Sequence, residues 1–235
     1  MERLFDPDMI RRTIKIMKPD SELFEVRIIR GKDILSAYFR DAETLIRKLS
    51  EQNLDGKSVY LTLQRIHEGC EARRQWENFI DVGRQKLPST SDNDITAYSF
   101  IPIDLDPERP AEISSTEEEL EAARELSYQI IAYMTDNGFK KYIKALSGNG
   151  YHLLFPVDIP TRTKAERDAG KERVSEILAT LDQYFSNDAC HVDTTLSNPA
   201  RILKLYGTLA QKGRNTPQRP FRMSKILEVV GFEKD

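Results

Sequence analysis

Cysteine is scarce in this chain, since Cys70 and Cys190 are the only two among 235 residues. Two thiols cannot build the disulfide framework of a small secreted domain, and so few cysteines fit a reducing compartment. No apolar run approaches the roughly 18 residues that a membrane-spanning helix requires, and the first residues lack the apolar core of a secretory signal. We therefore expect a soluble protein in the cytoplasm, with no membrane partner.

Three further patterns are missing, and each absence argues against a class of function. The sequence has no G-x-x-x-x-G-K-[ST] phosphate-binding loop, which excludes an ATP-driven motor of that class. It has no K/R-G-F/Y-G/A-F-V-x-F/Y signature, which argues against a non-catalytic RNA-recognition module. His67 and Cys70 have the spacing of half a zinc site, but the other half would be the adjacent Cys190 and His191, and adjacent ligands rarely close a tetrahedron. We therefore expect no zinc.

The charge of the chain is nearly balanced but unevenly distributed. Its formal net charge is −3, which does not by itself indicate a nucleic-acid-binding protein. Residues 194–227 nevertheless contain no acidic side chain and carry seven basic ones: Arg201, Lys204, Lys212, Arg214, Arg219, Arg222 and Lys225. Such a segment suggests a local site for a polyanion, and a solvated basic loop is the alternative explanation.

Residues 98–107 predict a β-strand that ends in a pair of carboxylates. Ile101, Ile103 and Leu105 fall on one face at the period of two that a pleated backbone imposes. Asp104 and Asp106 then share the other face near the end of the strand. Two like charges this close repel each other unless a cation lies between them, and Mg²⁺ and Mn²⁺ prefer carboxylate oxygens. A solvent-facing aspartate pair is the alternative explanation.

Residues 140–155 predict two apolar strands that meet at a turn of small residues. Asn149-Gly150 is a strong hairpin signal, and Ser147 and Gly148 precede it in the same turn. Glycines let the backbone approach a ligand closely, and successive amides of such a turn can bind an anion. His152 follows directly, where its imidazole could donate to a phosphate oxygen. A plain hairpin would explain the Asn-Gly pair equally well.

The rest of the sequence alternates amphipathic helices with strands, a pattern typical of an α+β domain. Helical patterns cover residues 7–17 and 163–185, a helix follows Asp41, and another begins with capping-box spacing from Ser114 to Glu117. The N-terminal elements predict a β-α-β unit, and residues 201–208 alternate like a strand. Residues 223–235 contain a short helical pattern.

The segment 66–94 is harder to interpret, and it contains a tryptophan between charged residues. Trp76, near Arg73 and Arg74, could stack on a template base. A helix that rests its tryptophan on the core is the alternative. Further along, Asp193 follows Val192 at the end of a short apolar step, where it could supply a third carboxylate.

Taken together, these motifs resemble those of the archaeo-eukaryotic primase (AEP) superfamily. Asp104 and Asp106 match its D-x-D strand, residues 147–152 match its small-residue turn ending in histidine, and Asp193 matches its aspartate after an apolar residue. The basic residues that follow are similar to those of plasmid, phage and CRISPR-associated primase-polymerases: Arg201, Lys204, Thr208 and Lys212. The resemblance covers roughly residues 20–222, and the chain lacks the zinc module and helicase domain of larger members.

The resemblance implies a fold and an activity. The fold would be an α+β catalytic core with an antiparallel sheet like that of RNA-recognition modules, flanked by helices and joined by an N-terminal α/β unit. Residues 1–222 would form the catalytic domain, and residues 223–235 a tail or the start of a further domain. The activity would be DNA primase-polymerase: template-dependent nucleotidyl transfer from dNTPs or NTPs that starts primers on single-stranded DNA and extends them.

The resemblance also implies roles for individual residues. Asp104, Asp106 and Asp193 would be catalytic and would hold two Mg²⁺ or Mn²⁺ ions. The incoming nucleotide would be bound by Ser147, Gly148, Asn149, Gly150, His152, Arg201, Lys204, Thr208 and Lys212. Weaker candidates for contacts with template and primer are Arg73, Arg74, Trp76, Tyr206, Arg214 and Arg219. A two-metal nuclease and a D-x-D glycosyltransferase are the alternatives, although a glycosyltransferase needs neither the histidine turn nor the acid-free basic segment.

Overall fold

The computed structural model describes residues 4–73 and 77–232. The helices are α1 (Pro7–Met17), α2 (Ala42–Ser50), α3 (Val82–Gln85), α4 (Glu117–Asp136) and α5 (Lys164–Phe185). The strands are β1 (Phe24–Arg30), β2 (Asp33–Phe39), β3 (Ser58–Thr62), β4 (Arg65–Ile66), β5 (Ile80–Asp81), β6 (Ile95–Pro107), β7 (Tyr142–Leu146), β8 (Tyr151–Pro160), β9 (Cys190–Val192), β10 (Ile202–Lys204), β11 (Leu209–Ala210), β12 (Arg222–Met223) and β13 (Lys225–Val230). Short 3-10 helices cover Glu68–Arg73, Asp92–Asp94 and Thr194–Ser197.

The smaller of the two main sheets has the strand order β10-β3-β1-β2-β5. Gly31, with φ +56°, begins a two-residue turn that reverses the chain from β1 into β2. Alternate residues of this sheet, such as Val26 and Ile28, pack with Ile10 of α1 and Leu45 of α2 in one buried cluster. The predicted β-α-β unit is wrong in one respect, because β2 precedes α2 and the neighbouring strands of this sheet are antiparallel.

The larger sheet has the order β13-β7-β8-β6-β4, and β9 pairs with the end of β6. Helices α4 and α5 cover one face of it, where Ile130 and Leu178 pack with Ile103 and Leu153 in the largest apolar cluster described. Full burial of such a side chain stabilises the fold by about 1.5 to 3 kcal/mol. The predicted class, an α+β fold with an antiparallel sheet flanked by helices, is confirmed.

Two connections hold the sheets together. The β6–β8 register shifts between Tyr98 and Phe100, and Gln64, which follows β3, fills this irregularity. Its Oε1 accepts from the amides of Ser99 and Phe100 at 2.7 and 3.1 Å, and its Nε2 donates to the Phe100 carbonyl at 2.9 Å. The chain also crosses back after β9, because β10 pairs with β3 in the smaller sheet. Residues far apart in sequence therefore meet where the sheets adjoin.

Three sequence predictions differ from the structure in their details. Helix α4 is capped by Thr116 and Glu119 rather than by Ser114 and Glu117, because the Ser114 hydroxyl donates to the Lys212 carbonyl instead. Residues 225–230, predicted as a helical pattern in a tail, form the edge strand β13, so the sheet continues past the boundary predicted at residue 222. In segment 66–94, the described residues form short helices and the two-residue strand β5. Among the residues described, no helix is long and apolar enough to cross a membrane.

Candidate active site

Three aspartates lie together at the end of the larger sheet. On β6, Asp104 and Asp106 point away from the buried Leu105, as the alternation predicts. Asp193 directly follows β9, and its amide donates to the Asp104 carbonyl at 2.9 Å. Because β9 is hydrogen-bonded to β6, the third carboxylate comes from the strand beside the first two, and all three line one cleft.

Each of these carboxylates has a protein partner. Arg109 Nη1 donates to Asp106 Oδ1 at 2.8 Å. Asp193 caps a 3-10 helix, and its Oδ1 accepts from the Thr195 amide at 2.8 Å. Asp104 Oδ1 lies 3.4 Å from His152 Nε2. Partial removal from water, and then the charge of Asp104, raise the pKa of Asp106, while Arg109 and Lys212 oppose the rise. We call Asp104, Asp106 and Asp193 together the acidic wall. Negative charge is unfavourable at this wall unless a cation is near.

The donor chemistry of this wall suits a hard divalent ion. Carboxylate oxygens are the ligands that Mg²⁺ and Mn²⁺ prefer, and side chains at neighbouring positions of paired strands can reach a common ion. In the arrangement described, no group of three or more His, Cys, Asp and Glu side chains is close enough to share an ion, within residues 4–73 and 77–232. Binding of an ion would therefore require these side chains to move, and the carboxylate of Asp106 to exchange its contact with Arg109.

The turn between β7 and β8 is closed mainly by its own hydrogen bonds. Ser147 Oγ lies 3.0 Å from the Gly150 carbonyl oxygen and accepts from the Gly150 amide at 3.1 Å. A Cβ on Gly148 would come within 2.2 Å of the Ala210 Cβ, and one on Gly150 within 2.3 Å of the Leu105 carbonyl oxygen. Both glycines are thus required by close packing within the protein, whereas Ser147 and Asn149 line the cleft.

His152 lies beside the acidic wall and is held from behind by Tyr206. The His152 Nδ1 and the Tyr206 hydroxyl are 2.9 Å apart. Burial, and then the charge of Asp104, raise the pKa of Tyr206 well above its ordinary value, so its hydroxyl stays protonated and can donate. We infer that Nδ1 accepts and that the Nε2 proton faces the cleft. Tyr206, a weaker candidate for contact with template or primer, is fully buried here and contacts His152 instead.

A cationic wall, formed by residues between 201 and 212, completes the cleft, whose volume is about 570 Å³. It contains Arg201, Lys204 and Lys212, as the resemblance implied. Arg201 donates from Nη2 to the Thr195 carbonyl, but its Nε is buried with no hydrogen-bond partner among the described residues. Lys204 donates to the Leu209 carbonyl at 3.1 Å, and burial lowers its pKa to about 7.

Other predicted binding residues lie outside this cleft lining or have internal partners. Thr208 is buried and donates to the Leu205 carbonyl, because Gly207, with φ +95°, turns the chain away after β10. Arg219 forms a two-pronged ion pair with Glu119, and Arg73 forms one with Asp94. Arg214 is exposed and lies outside the lining of the cleft. The predictions for Arg74 and Trp76 fall on residues outside those described.

Sequence reasoning missed several residues of the cleft. Arg109 is the most prominent, because only 7% of its side chain is exposed and it contacts Asp106 directly. Its position three residues after Asp106 was a signal that could have found it. Tyr60 and Arg30 come from the smaller sheet, in which Tyr60 is paired with Lys204 of β10. No local sequence pattern predicts which strands pair in this way.

Comparison with known proteins gives a match in fold. No model of a known protein family matches this chain, and no curated protein sequence does. Among solved structures, the AEP domain of the cyanophage S-2L primase-polymerase (PrimPol) is similar, with 17% identity, a TM-score of 0.53, and coverage of 99% of this chain and 95% of that one. Primase RepB′ has 14% identity, a TM-score of 0.47, and coverage of 94% and 56%. The polymerase domain of Mycobacterium tuberculosis ligase D, in complex with DNA, has 12% identity, a TM-score of 0.49, and coverage of 92% and 79%.

The first of these likenesses extends over nearly the whole of both chains. It shows that the chain has the fold of an AEP domain, as the sequence motifs predicted. At this identity the likeness concerns the fold alone, and the argument for an activity has to come from the residues of the cleft.

Proposed function

We propose that this chain is a DNA primase-polymerase, a nucleotidyltransferase that copies single-stranded DNA from dNTPs or NTPs, starts primers without a pre-existing end and extends them. One observation carries the proposal: two aspartates on β6 and a third directly after the paired strand β9 line the same cleft as Arg201, Lys204 and Lys212. A triphosphate needs the cationic wall, and nucleotidyl transfer needs the acidic one. The AEP-domain fold supports the same conclusion.

The acidic wall would hold divalent ions. Asp104, Asp106 and Asp193 are the residues that would hold them, and Arg109 would release Asp106 for this purpose. Ions bound there supply activation of the attacking 3′-hydroxyl and charge neutralisation at the α-phosphate. The carboxylates would also fix the position of these reacting groups, because their strands are anchored by β-ladder hydrogen bonds.

The remaining cleft residues would bind the triphosphate. Arg201 has a planar guanidinium whose buried Nε has no hydrogen-bond partner among the described residues, and a phosphate oxygen could supply one. The Nε2–H of His152, fixed by Tyr206, is a second donor. Lys204 and Lys212 would add positive charge, and Ser147 and Asn149 polar contacts, along the same path. The single-stranded template and the primer would occupy the open side of the cleft.

A product gel tests the proposal. The chain is incubated with single-stranded template, Mn²⁺ or Mg²⁺ and labelled dNTPs or NTPs, with and without a primer. We expect labelled products in both arms, and loss of at least about a thousandfold in the double variant Asp104→Ala/Asp106→Ala. The matched control is Asp158→Ala/Asp188→Ala, which removes two exposed aspartates outside the cleft lining.

Each outcome of this experiment discriminates between functions. If the Asp104→Ala/Asp106→Ala variant still extends primers, these two aspartates are not required for nucleotidyl transfer and the proposed mechanism is wrong. Shortening of labelled DNA without added nucleotides would identify a two-metal nuclease instead. Extension of a primer without products in the unprimed arm would restrict the function to polymerase. A thermal melt of both double variants shows whether each remains folded.

A further inference from the structure

We propose that Lys204 is a catalytic residue of the cleft, the proton donor to the pyrophosphate leaving group as the new phosphodiester bond forms. This inference rests on the proposed function, since it assigns a chemical step to the wall where the triphosphate would bind. A lysine that only neutralised the triphosphate would keep its proton, whereas here the proton itself is transferred.

Nucleotidyl transfer produces a leaving group that needs a proton. The 3′-oxygen of the primer bonds to the α-phosphorus and loses its own proton to water, and the bond from that phosphorus to the α,β-bridging oxygen breaks. The electron pair of the broken bond stays on this oxygen, which becomes a terminal oxygen of pyrophosphate. An ammonium that protonates it becomes a neutral amine, and water protonates the amine again before the next turnover. A positioned acid accelerates such a step by about 10²- to 10⁴-fold.

Lys204 has the surroundings that such an acid requires. It lines the cleft, yet only 6% of the residue is exposed. Its Nζ donates to one neutral acceptor, the Leu209 carbonyl, at 3.1 Å, and lies 5.9 Å from the centre of the Tyr60 ring on the neighbouring strand. Across residues 4–73 and 77–232, no carboxylate forms an ion pair with it. Burial without a counter-charge lowers its pKa to about 7, so the ammonium releases its proton more readily than an ordinary lysine.

The other nitrogen donors of the cleft are less suited to this role. A guanidinium does not release its proton, which excludes the arginines. A neutral His152 would have to lose its only N–H and become an anion, because its Nδ1 accepts a hydrogen bond. Lys212 is partly exposed, and it lies close enough to Asp106 to oppose the rise in the pKa of that carboxyl. Its ammonium therefore has water and a carboxylate to stabilise its charge, whereas that of Lys204 has neither.

Strand β10 brings this lysine to the phosphate-binding side of the cleft. Arg201 directly precedes the strand and Lys204 ends it, so their Cα atoms are about 10 Å apart at the rise of an extended chain. Both residues line the cleft that contains the three aspartates. A guanidinium and an ammonium at this separation can bind one triphosphate together. The charge of the bound nucleotide then keeps Lys204 protonated until the leaving group forms.

The test varies the basicity of the leaving group. Single-turnover extension of a primed template is followed by rapid quenching, with dNTP analogues whose β,γ-bridging oxygen is replaced by a difluoromethylene or a methylene group. The methylene analogue gives the more basic leaving group. Because a proton donor offsets this basicity, we expect the wild-type rate to fall by less than about tenfold from the first analogue to the second. In Lys204→Met we expect a fall of more than about a hundredfold.

Two further variants separate the proton from the charge. Lys212→Met removes a charge from the same wall, so we expect weaker nucleotide binding but the wild-type sensitivity to the leaving group. Lys204→Arg keeps the charge without a proton that can be released, so it should be as sensitive as Lys204→Met. Lys204→Met nearly conserves side-chain volume and removes a buried charge, so it should fold, and a thermal melt checks this.

The outcomes separate this inference from the proposed function. Wild-type sensitivity in Lys204→Met or Lys204→Arg would overturn the assignment, because the lysine would then act by its charge alone. Equal sensitivity in Lys212→Met and Lys204→Met would overturn it as well, because the effect would belong to the charge of the wall. If the wild-type chain fails to extend a primer with natural dNTPs, the proposed function fails instead.

Discussion

The two charged walls of the cleft differ in how their charges are balanced. On the acidic wall, Asp104, Asp106 and Asp193 each contact a group of the protein itself. On the cationic wall, Arg201 has a buried Nε with no partner among the described residues, and Lys204 is buried with only a carbonyl oxygen as its acceptor. The cationic wall is therefore preorganised for an anion, whereas the acidic wall has to exchange contacts before it binds a cation.

The same contrast exists within the acid-free basic segment. Arg201 and Arg219 belong to one stretch of sequence, yet only Arg201 lines the cleft. Arg219 donates to both oxygens of Glu119 and to the Ser114 carbonyl, so it anchors the start of α4. Two arginines of the same acid-free segment thus differ in their surroundings: one lines the cleft and the other anchors a helix. Substitution of each can test whether their roles differ as well.

The largest effect in this comparison is expected from Arg201→Ala. A guanidinium bound to phosphate contributes charge-assisted hydrogen bonds, and we expect its removal to lower kcat/KM for the nucleotide about a hundredfold. The measurement is steady-state extension of a primed template over a range of nucleotide concentrations. Because a lysine cannot reproduce the planar fork, Arg201→Lys should recover only part of the loss.

Arg219→Ala is the control for that variant. We expect it to lower the free energy of unfolding by about 1 to 2 kcal/mol, through loss of a partly buried ion pair, and to leave kcat/KM within about threefold of wild type. Chemical denaturation and the same extension assay check both numbers. If Arg219→Ala impaired catalysis as much as Arg201→Ala, the division of the basic segment into two roles would be wrong.

A smaller effect is expected where the two walls meet, at His152. We expect His152→Ala to weaken nucleotide binding much more than DNA binding, because Nε2 faces the cleft beside Asp104. Tyr206→Phe should lower kcat/KM about tenfold, since it removes only the hydroxyl that orients the ring. Separate binding titrations with nucleotide and with DNA give the ranking. A greater loss of DNA binding in His152→Ala would count against the triphosphate contact.

The sequence predicted one wall better than the other, for a physical reason. Side chains of a strand alternate between its two faces. Asp104 and Asp106 therefore had to share the face opposite Leu105, whatever the position of the strand in the sheet. Which strands pair with β6 is a long-range property, however. The registers that set His152 beside Asp104 and His191 beside Asp106 could not be derived from local pattern.

Prediction failed more often on the cationic wall. The alternation over residues 201–208 implied one strand with Lys204, Tyr206 and Thr208 on a common face. The strand ends at Lys204, and the turn at Gly207 buries Tyr206 and Thr208 behind the cleft. Charge alone also could not reveal that Arg219 is paired, because Glu119 lies a hundred residues away in sequence. Local pattern identifies faces, while tertiary contacts decide which faces meet.

The smallest expected effect concerns the protonation of Lys204. Its measurement would show whether this lysine takes part in the preorganisation of the cationic wall. Burial lowers the pKa of Lys204 to about 7, so at pH 8 the amine of the free protein is mostly neutral. A triphosphate brought beside it would raise that pKa, and binding should take up as much as about one proton at pH 8. Calorimetry in two buffers of different ionisation enthalpy measures this uptake.

Lys204→Met provides the comparison, because it should bind nucleotide with no such uptake and an affinity only a few-fold lower. The unfolded state holds the Lys204 proton up to about pH 10.5, and the folded state only to about pH 7. This lysine therefore destabilises the free protein most below pH 7, and the penalty should fade as the pH rises towards 10.5. Proton uptake unchanged in Lys204→Met would show that another group responds to the anion. The cationic wall would then be preorganised by Arg201 and Lys212 without this lysine.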